Sequence, residues 1–158
     1  MTAVKDAAEQ FLTSHRIAVT GVSRTPGSHG ANVVYTKLRD KGYAVFAVNP
    51  NTDLVEGDPA YADLAAIPGG VDAVVIATSP AHADATMHEA AALGITQVWM
   101  HRSVDAGSVS DDATAYGRAH GVTVIDGGCP LMFGPVADTG HKVMCLLFTL
   151  MGRVPRTV

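Results

Sequence analysis

The chain has 158 residues, 47% of them apolar, enough for one fully cored domain spanning 1–158 and too few for two. A net charge of −4, with 11 basic residues scattered rather than gathered in a stripe, argues against a nucleic-acid surface. Cys129 before a proline and Cys145 in an apolar run are an implausible disulfide pair, and no apolar stretch reaches bilayer length or forms a signal core. A cytoplasmic protein without a membrane partner is therefore expected.

Residues 3–14 read as a short amphipathic helix with Val4, Ala7, Ala8, Phe11 and Leu12 on one side. An apolar strand at 17–20 then runs into Gly21-Val22-Ser23-Arg24, followed by Gly27, His29, Gly30 and a helical pattern. A strand, a Gly-rich turn and a helix N-terminus bring unpaired N–H groups and a positive dipole end to one point, the geometry that binds phosphate. The helix ends at Gly42, and the strand at 44–48 leads into Asn49-Pro50, with a short extra strand near Leu54-Val55. A further strand at 73–77 is followed by Thr78-Ser79-Pro80, where Ser79 supplies an N-cap and Pro80 a first-turn proline for a helix ending near Gly94. The strand at 97–100 carries Trp99 and leads into His101, Ser108 or Ser110 caps the helix that ends at Gly121, and a last strand covers 123–125. This alternation predicts an α/β class: a single doubly wound, mostly parallel sheet with flanking helices, core at about 17–129, whose strand order reverses between 17–20 and 73–77. The ligand crevice is expected at that reversal, between Gly21 to Arg24 and Ala77 to Pro80. The helix at about 140–151 is apolar around nearly its whole surface over 143–151, so either the rest of the chain or a second copy must cover it, and a homodimer is expected.

The candidate binding residues are Gly21, Val22, Ser23, Arg24, His29, Asn49, Pro50, Thr78, Ser79, Pro80 and His101. Arg24 can pair with phosphate oxygens bidentately and Ser23 offers a hydroxyl, although both also suit a solvated turn. A nicotinamide dinucleotide is disfavoured, because Ser23 stands where the second glycine of the fingerprint belongs and Asn49 where an acid would hold the ribose. Asn49 suits a nucleotide sugar or base edge, and equally an Asx turn into Pro50. His82, Asp84 and His88 share a helical segment without closing a four-ligand set, so no metal is expected. Cys129 has no adjacent base to make it a thiolate, and no other nucleophile motif is present, so no catalytic residue is assigned.

In this order these segments resemble small stand-alone CoA-binding domain proteins, similar to the N-terminal domain of the succinyl-CoA synthetase alpha subunit. The resemblance covers Val19-Thr20-Gly21-Val22-Ser23, Gly42-Tyr43-Ala44-Val45-Phe46-Ala47-Val48-Asn49-Pro50, Gly57 with Tyr61, Ile67-Pro68, Val71-Asp72-Ala73-Val74-Val75-Ile76, Glu89-Ala90, Gly94 and Val98-Trp99-Met100. It continues to Gly128-Cys129-Pro130-Leu131-Met132-Phe133, Gly140-His141-Lys142 and the apolar helix. It implies a Rossmann-like domain that holds coenzyme A, free or acylated, with the nucleotide end over Gly21 to Arg24, Asn49-Pro50 near the adenosine, and Thr78-Ser79-Pro80 beside the crevice. His101 stands where members often carry Gln, and the synthetase's ligase domain with its phosphorylated histidine has no counterpart here. A non-catalytic or accessory CoA-binding protein is the leading expectation. The alternatives are an enzyme acting on an acyl-CoA or the CoA thiol, with Cys129 or His101 at the reactive end, and a nucleotide-sensing module.

Overall fold

A computed structural model of the protein describes residues 1–27, 30–102 and 107–158; His29, named above as a candidate, lies outside the described residues. In chain order the elements are α1 (Val4–Phe11), β1 (Arg16–Thr20), α2 (Gly30–Asp40), β2 (Ala44–Val48), β3 (Leu54–Val55), β4 (Asp58–Tyr61), β5 (Ala73–Ile76), α3 (Pro80–Ala92), β6 (Gln97–Met100), α4 (Asp111–Ala119), β7 (Thr123–Asp126) and α5 (Thr139–Leu150). The strands form one sheet in the order β3-β4-β2-β1-β5-β6-β7, parallel throughout except for the β3–β4 pair. It is an α/β Rossmann-like fold, and the order reverses between β1 and β5 as the apolar runs implied.

Period-two alternation sorts the core into two layers. Ile17, Val19, Val75, Trp99 and Ile125 face the layer that contains Phe11 of α1 and Tyr35 and Leu38 of α2. Ala18, Val74, Ile76, Val98, Met100 and Val124 face Met87 and Ala90 of α3 and Ala113 of α4. Strands buried on both faces read as continuous apolar runs, which is why β1, β5, β6 and β7 are visible in the sequence. Trp99 anchors the first layer: Phe11 meets it edge-on with ring centroids 5.4 Å apart, and its Nε1–H donates to the Gly127 carbonyl at 2.9 Å. Gly117 lets α4 approach the sheet, since a Cβ there would lie 2.7 Å from both Met87 Sδ and Val124 Cγ2.

Two local expectations need correction, and two left open are decided. β5 stops at Ile76 rather than Ala77, because the Ala77 N–H donates to Thr20 Oγ1 at 3.2 Å. Ser79 occupies the N-cap position of α3 without a side-chain cap; its hydroxyl pairs with His82 Nδ1 at 2.8 Å instead. Ser110 is the capping serine of α4, accepting from the Ala113 N–H at 3.1 Å, while its hydroxyl donates to Asp84 at 2.6 Å. α5 is covered on one side by its own domain: Met144, Cys145 and Phe148 pack on the first core layer, whereas the equally apolar Val143, Leu146, Leu147 and Leu150 are exposed. Among the described residues no helix is long and apolar enough to cross a membrane.

Candidate functional site

Gly21 brings the ends of β1 and β5 together. Its φ of +76° belongs to the left-handed region, and a Cβ there would lie 2.5 Å from the Ala77 carbonyl oxygen, so only glycine lets the two backbones pass this closely. Beyond the strand ends opens a cavity of about 750 Å³. It lies where strand order reverses, the place at which open parallel sheets take their ligands.

One side of the cavity is the turn Thr20, Gly21, Val22 and Ser23 with Gly30 and Ala31, the first residues of α2. The other side carries Ala77, Thr78 and Ser79 with His82 of α3. α2 and α3 therefore both begin at the same space and direct the partial positive ends of their dipoles into it. Thr78 Oγ1 is buried there without a hydrogen-bond partner among the described residues, a polar atom that a ligand can engage. The far end is lined by Asn49, Pro50 and Asn51 after β2, by Ala62, Asp63 and Leu64 after β4, and by Ala85, Thr86 and Glu89 of α3.

Of the candidate residues, Gly21, Val22, Ser23, Asn49, Pro50, Thr78, Ser79 and His101 all line this one cavity. Arg24 and Pro80 do not; both are exposed beside it. His101 is buried at the end of β6, its N–H donating to the Ile76 carbonyl at 2.8 Å and its carbonyl accepting from Ser108 at 2.8 Å. A Cβ on Gly30 would lie 3.3 Å from its Cε1, which puts the imidazole against the start of α2.

The polar atoms of the turn are more committed than the bare motif suggests. Asn32 is wholly buried; its Oδ1 accepts from the Ser23 N–H at 2.8 Å, and its Nδ2 donates to the Ser23 carbonyl at 2.9 Å and to Glu56 Oε1 at 2.7 Å. The same Glu56 oxygen accepts from the Gly27 N–H at 2.8 Å. Glu56 and Gly57, with φ of 48° and 82°, form the two-residue turn between β3 and β4, so a non-glycine residue in a left-handed conformation aims its carboxylate under the loop. Asn32 and Gly27 hold that carboxyl below its ordinary value. Ser23 Oγ accepts from the Thr25 N–H at 3.1 Å. Asn49 realises its Asx turn, accepting from the Asn51 N–H at 2.8 Å, and also donates from Nδ2 to the Val22 carbonyl at 2.9 Å. Asn32, Glu56 and Asn49 thus position the turn from behind. The sequence reading missed the first two, and an asparagine on the buried face of α2 was the signal available.

Cys129 does not line the cavity; it lies in the first core layer, 4% exposed, and burial pushes its thiol up to about 12. A thiol so protonated is a poor nucleophile at neutral pH. His82, Asp84 and His88 are engaged separately, with Ser79, with Ser110 and in a stack on the Tyr116 ring 3.5 Å between centroids.

Residues 15–135 match the family described as the CoA binding domain. An ADP-forming acetate–CoA ligase II of Archaeoglobus fulgidus is 36% identical over 81 residues, which are 50% of this chain and 12% of that enzyme, so the chain spans about an eighth of the curated relative's length. Among solved structures, a hypothetical protein from Pyrococcus horikoshii OT3 superposes with a TM-score of 0.72 at 25% identity, over 80% of this chain and 85% of that one. An acetyl-coenzyme A synthetase of Candidatus Korarchaeum cryptofilum shares the fold, with a TM-score of 0.64 at 17% identity over 86% of this chain and 36% of that one.

Proposed function

This chain belongs to the CoA binding domain family, and from that premise we propose that it binds coenzyme A or an acyl-CoA in the cavity between Gly21 and Thr78, as a non-catalytic or accessory binding protein. The observation that carries the reading is the joint one: two helix N-termini and a glycine turn meet at the strand reversal of a family member. There the positive ends of two helix dipoles and a turn without side-chain bulk at Gly21 suit a diphosphate. The nucleotide's diphosphate lies over Gly21 to Ser23 and the start of α2, its adenosine lies toward Asn49 and Pro50, and Thr78 offers its unpartnered hydroxyl. The exposed Arg24 meets the phosphates from the rim.

Against an enzyme that uses Cys129 on the thiol end stands its placement: it is buried away from the cavity and held as the neutral thiol, which leaves His101 as the candidate that lines the cavity. The exposed stripe of α5 supports a second proposal, that two copies pair through Val143, Leu146, Leu147 and Leu150, since a two-fold axis would present one apolar patch to its equal.

Isothermal calorimetry with CoA and NAD at equal concentration tests the binding. One CoA per chain, with NAD at least about tenfold weaker, is expected; NAD binding the tighter would replace this reading with a nicotinamide-linked one. Acyl-CoA turnover that survives in the wild type and vanishes in Cys129→Ala would overturn the non-catalytic assignment.

A further inference from the structure

The charges around the cavity say which part of the nucleotide is read. All 11 lysines and arginines lie among the described residues, and none lines the cavity. Several are held elsewhere: Arg39 by Asp58 at 2.6 Å, Arg16 by the Gly70 carbonyl at 2.8 Å, Arg118 beside Asp126 at 3.4 Å. Arg24 and Arg102 are next in sequence to the lining residues Ser23, in the glycine turn, and His101, whose imidazole lies against the start of α2. The opposite end has Asn49, Pro50 and Asn51 on one wall and two carboxylates, Asp63 and Glu89, on the other.

Those carboxylates are fixed in place by the loop they cap. Asp63 Oδ1 accepts from the Ala66 N–H at 2.8 Å and Glu89 Oε1 from the Ala65 N–H at 3.1 Å. Each capping bond leaves the carboxylate's other oxygen, an acceptor suited to a neutral hydroxyl and repulsive to a dianion. Asn51 gives its N–H to Asn49 and adds a neutral amide at the same rim. At the diphosphate end the arrangement is reversed, with helix N-termini, the glycine turn and the neighbouring arginines.

We infer that the site reads the diphosphate and a free ribose hydroxyl but not a phosphate on the ribose, so that it takes CoA and 3′-dephospho-CoA nearly alike, with Asn51 and Asp63 setting that tolerance. The inference rests on the proposed binding of CoA in this cavity. It names a ligand class wider than CoA itself: adenine nucleotides carrying a diphosphate and a pantetheine arm, with or without the ribose phosphate.

The test is a calorimetric titration of the full chain with CoA and with 3′-dephospho-CoA at the same ionic strength. Dissociation constants within about threefold of each other, or tighter binding of the dephospho form, are expected. CoA binding tighter by more than that refutes the inference while leaving the binding proposal standing; no binding of either ligand defeats both. Asn51→Lys, a change on an exposed loop that keeps the backbone bond to Asn49, should strengthen CoA binding about fivefold and leave 3′-dephospho-CoA within about twofold. An equal gain for both ligands, or none, would show that the ribose phosphate does not face this rim.

Discussion

Replacing Gly21 by alanine tests whether the close approach of β1 and β5 builds the site. The added methyl faces two separable penalties. Holding a non-glycine residue at φ +76° costs about 1–2 kcal/mol. The Cβ would also sit 2.5 Å from the Ala77 oxygen, 2.8 Å from its carbonyl carbon and 3.0 Å from the Thr78 nitrogen. Those are backbone atoms held by the β1–β5 ladder and by the Thr20 hydroxyl, so the strand ends must part. Overpacking of this kind adds about 1–3 kcal/mol. Gly27→Ala is the internal control: its φ is +64°, yet nothing lies within 4 Å of its Cβ position. Both variants gain the same unfolded-state stiffening, which cancels in the comparison. Urea denaturation should therefore find Gly21→Ala less stable than Gly27→Ala by about 1–3 kcal/mol at unchanged m. CoA affinity should fall further in Gly21→Ala. Equal stabilities in the two variants would refute the argument that backbone proximity, rather than turn conformation alone, demands glycine at position 21.

Asn32→Ala leaves the Ser23 N–H and the Glu56 carboxylate without their buried partner, and should cost about 1–3 kcal/mol in denaturant unfolding together with CoA affinity; unchanged affinity would show that Asn32 does not position the turn. The Arg39 guanidinium, with the Tyr35 hydroxyl, holds the Asp58 carboxyl below its ordinary 3.8, and Asn32 and Gly27 hold Glu56 below 4.5. A carboxyl depressed in the folded state stabilises above its ordinary value and loses that contribution as pH falls through the folded one. Thermal melts should therefore drop as pH is lowered past these values, with the gap between Arg39→Met and the wild type narrowing toward the acid end to what the Arg39 bond to the Glu56 carbonyl leaves; a constant offset at every pH would contradict the assignment. Leu147→Glu places a charge in the exposed α5 stripe, twice over if two copies pair there, and should turn a dimer into a monomer or an aggregate with the cavity intact. Sedimentation showing a monomeric wild type at micromolar concentration would dismiss the pairing.

The elements legible in the sequence are those with one dominant physical cause. β5 and β6 are buried on both faces and announce themselves as Ala73-Val74-Val75-Ile76 and Val98-Trp99-Met100. Gly42, Gly94 and Gly121 mark helix ends, where they adopt positive φ. β4 was not visible: Asp58-Pro59-Ala60-Tyr61 includes a proline and an aspartate, residues depleted in strands, and only its pairing with β2 and β3 makes it one. Its turn, Glu56-Gly57, lacks the asparagine or aspartate that signals a two-residue hairpin. The same limit applies to the site. Gly21, Ser23, Asn49, Thr78 and His101 were readable because chain order and strand ends place them at the crevice, whereas the Asn32–Glu56 brace joins positions 24 residues apart through a left-handed turn. Asp63 and Asn51 carry no local motif; the register of β4 beside β2 brings Asp63 to the cavity beside the end of β2, and the loop after β4 meets Glu89 of α3 through the Ala65 N–H.

The cavity at the β1–β5 reversal is proposed to hold the nucleotide of CoA. The most direct measurement is a titration of isotopically labelled protein with CoA, followed amide by amide in two-dimensional NMR spectra. Saturable shifts are expected to concentrate at Gly21, Val22 and Ser23, Ala31, Asn49 and Asn51, and Thr78 and Ser79, with the amides of α5 unmoved. Absence of saturable shifts, or shifts gathered on another face of the sheet, would contradict it.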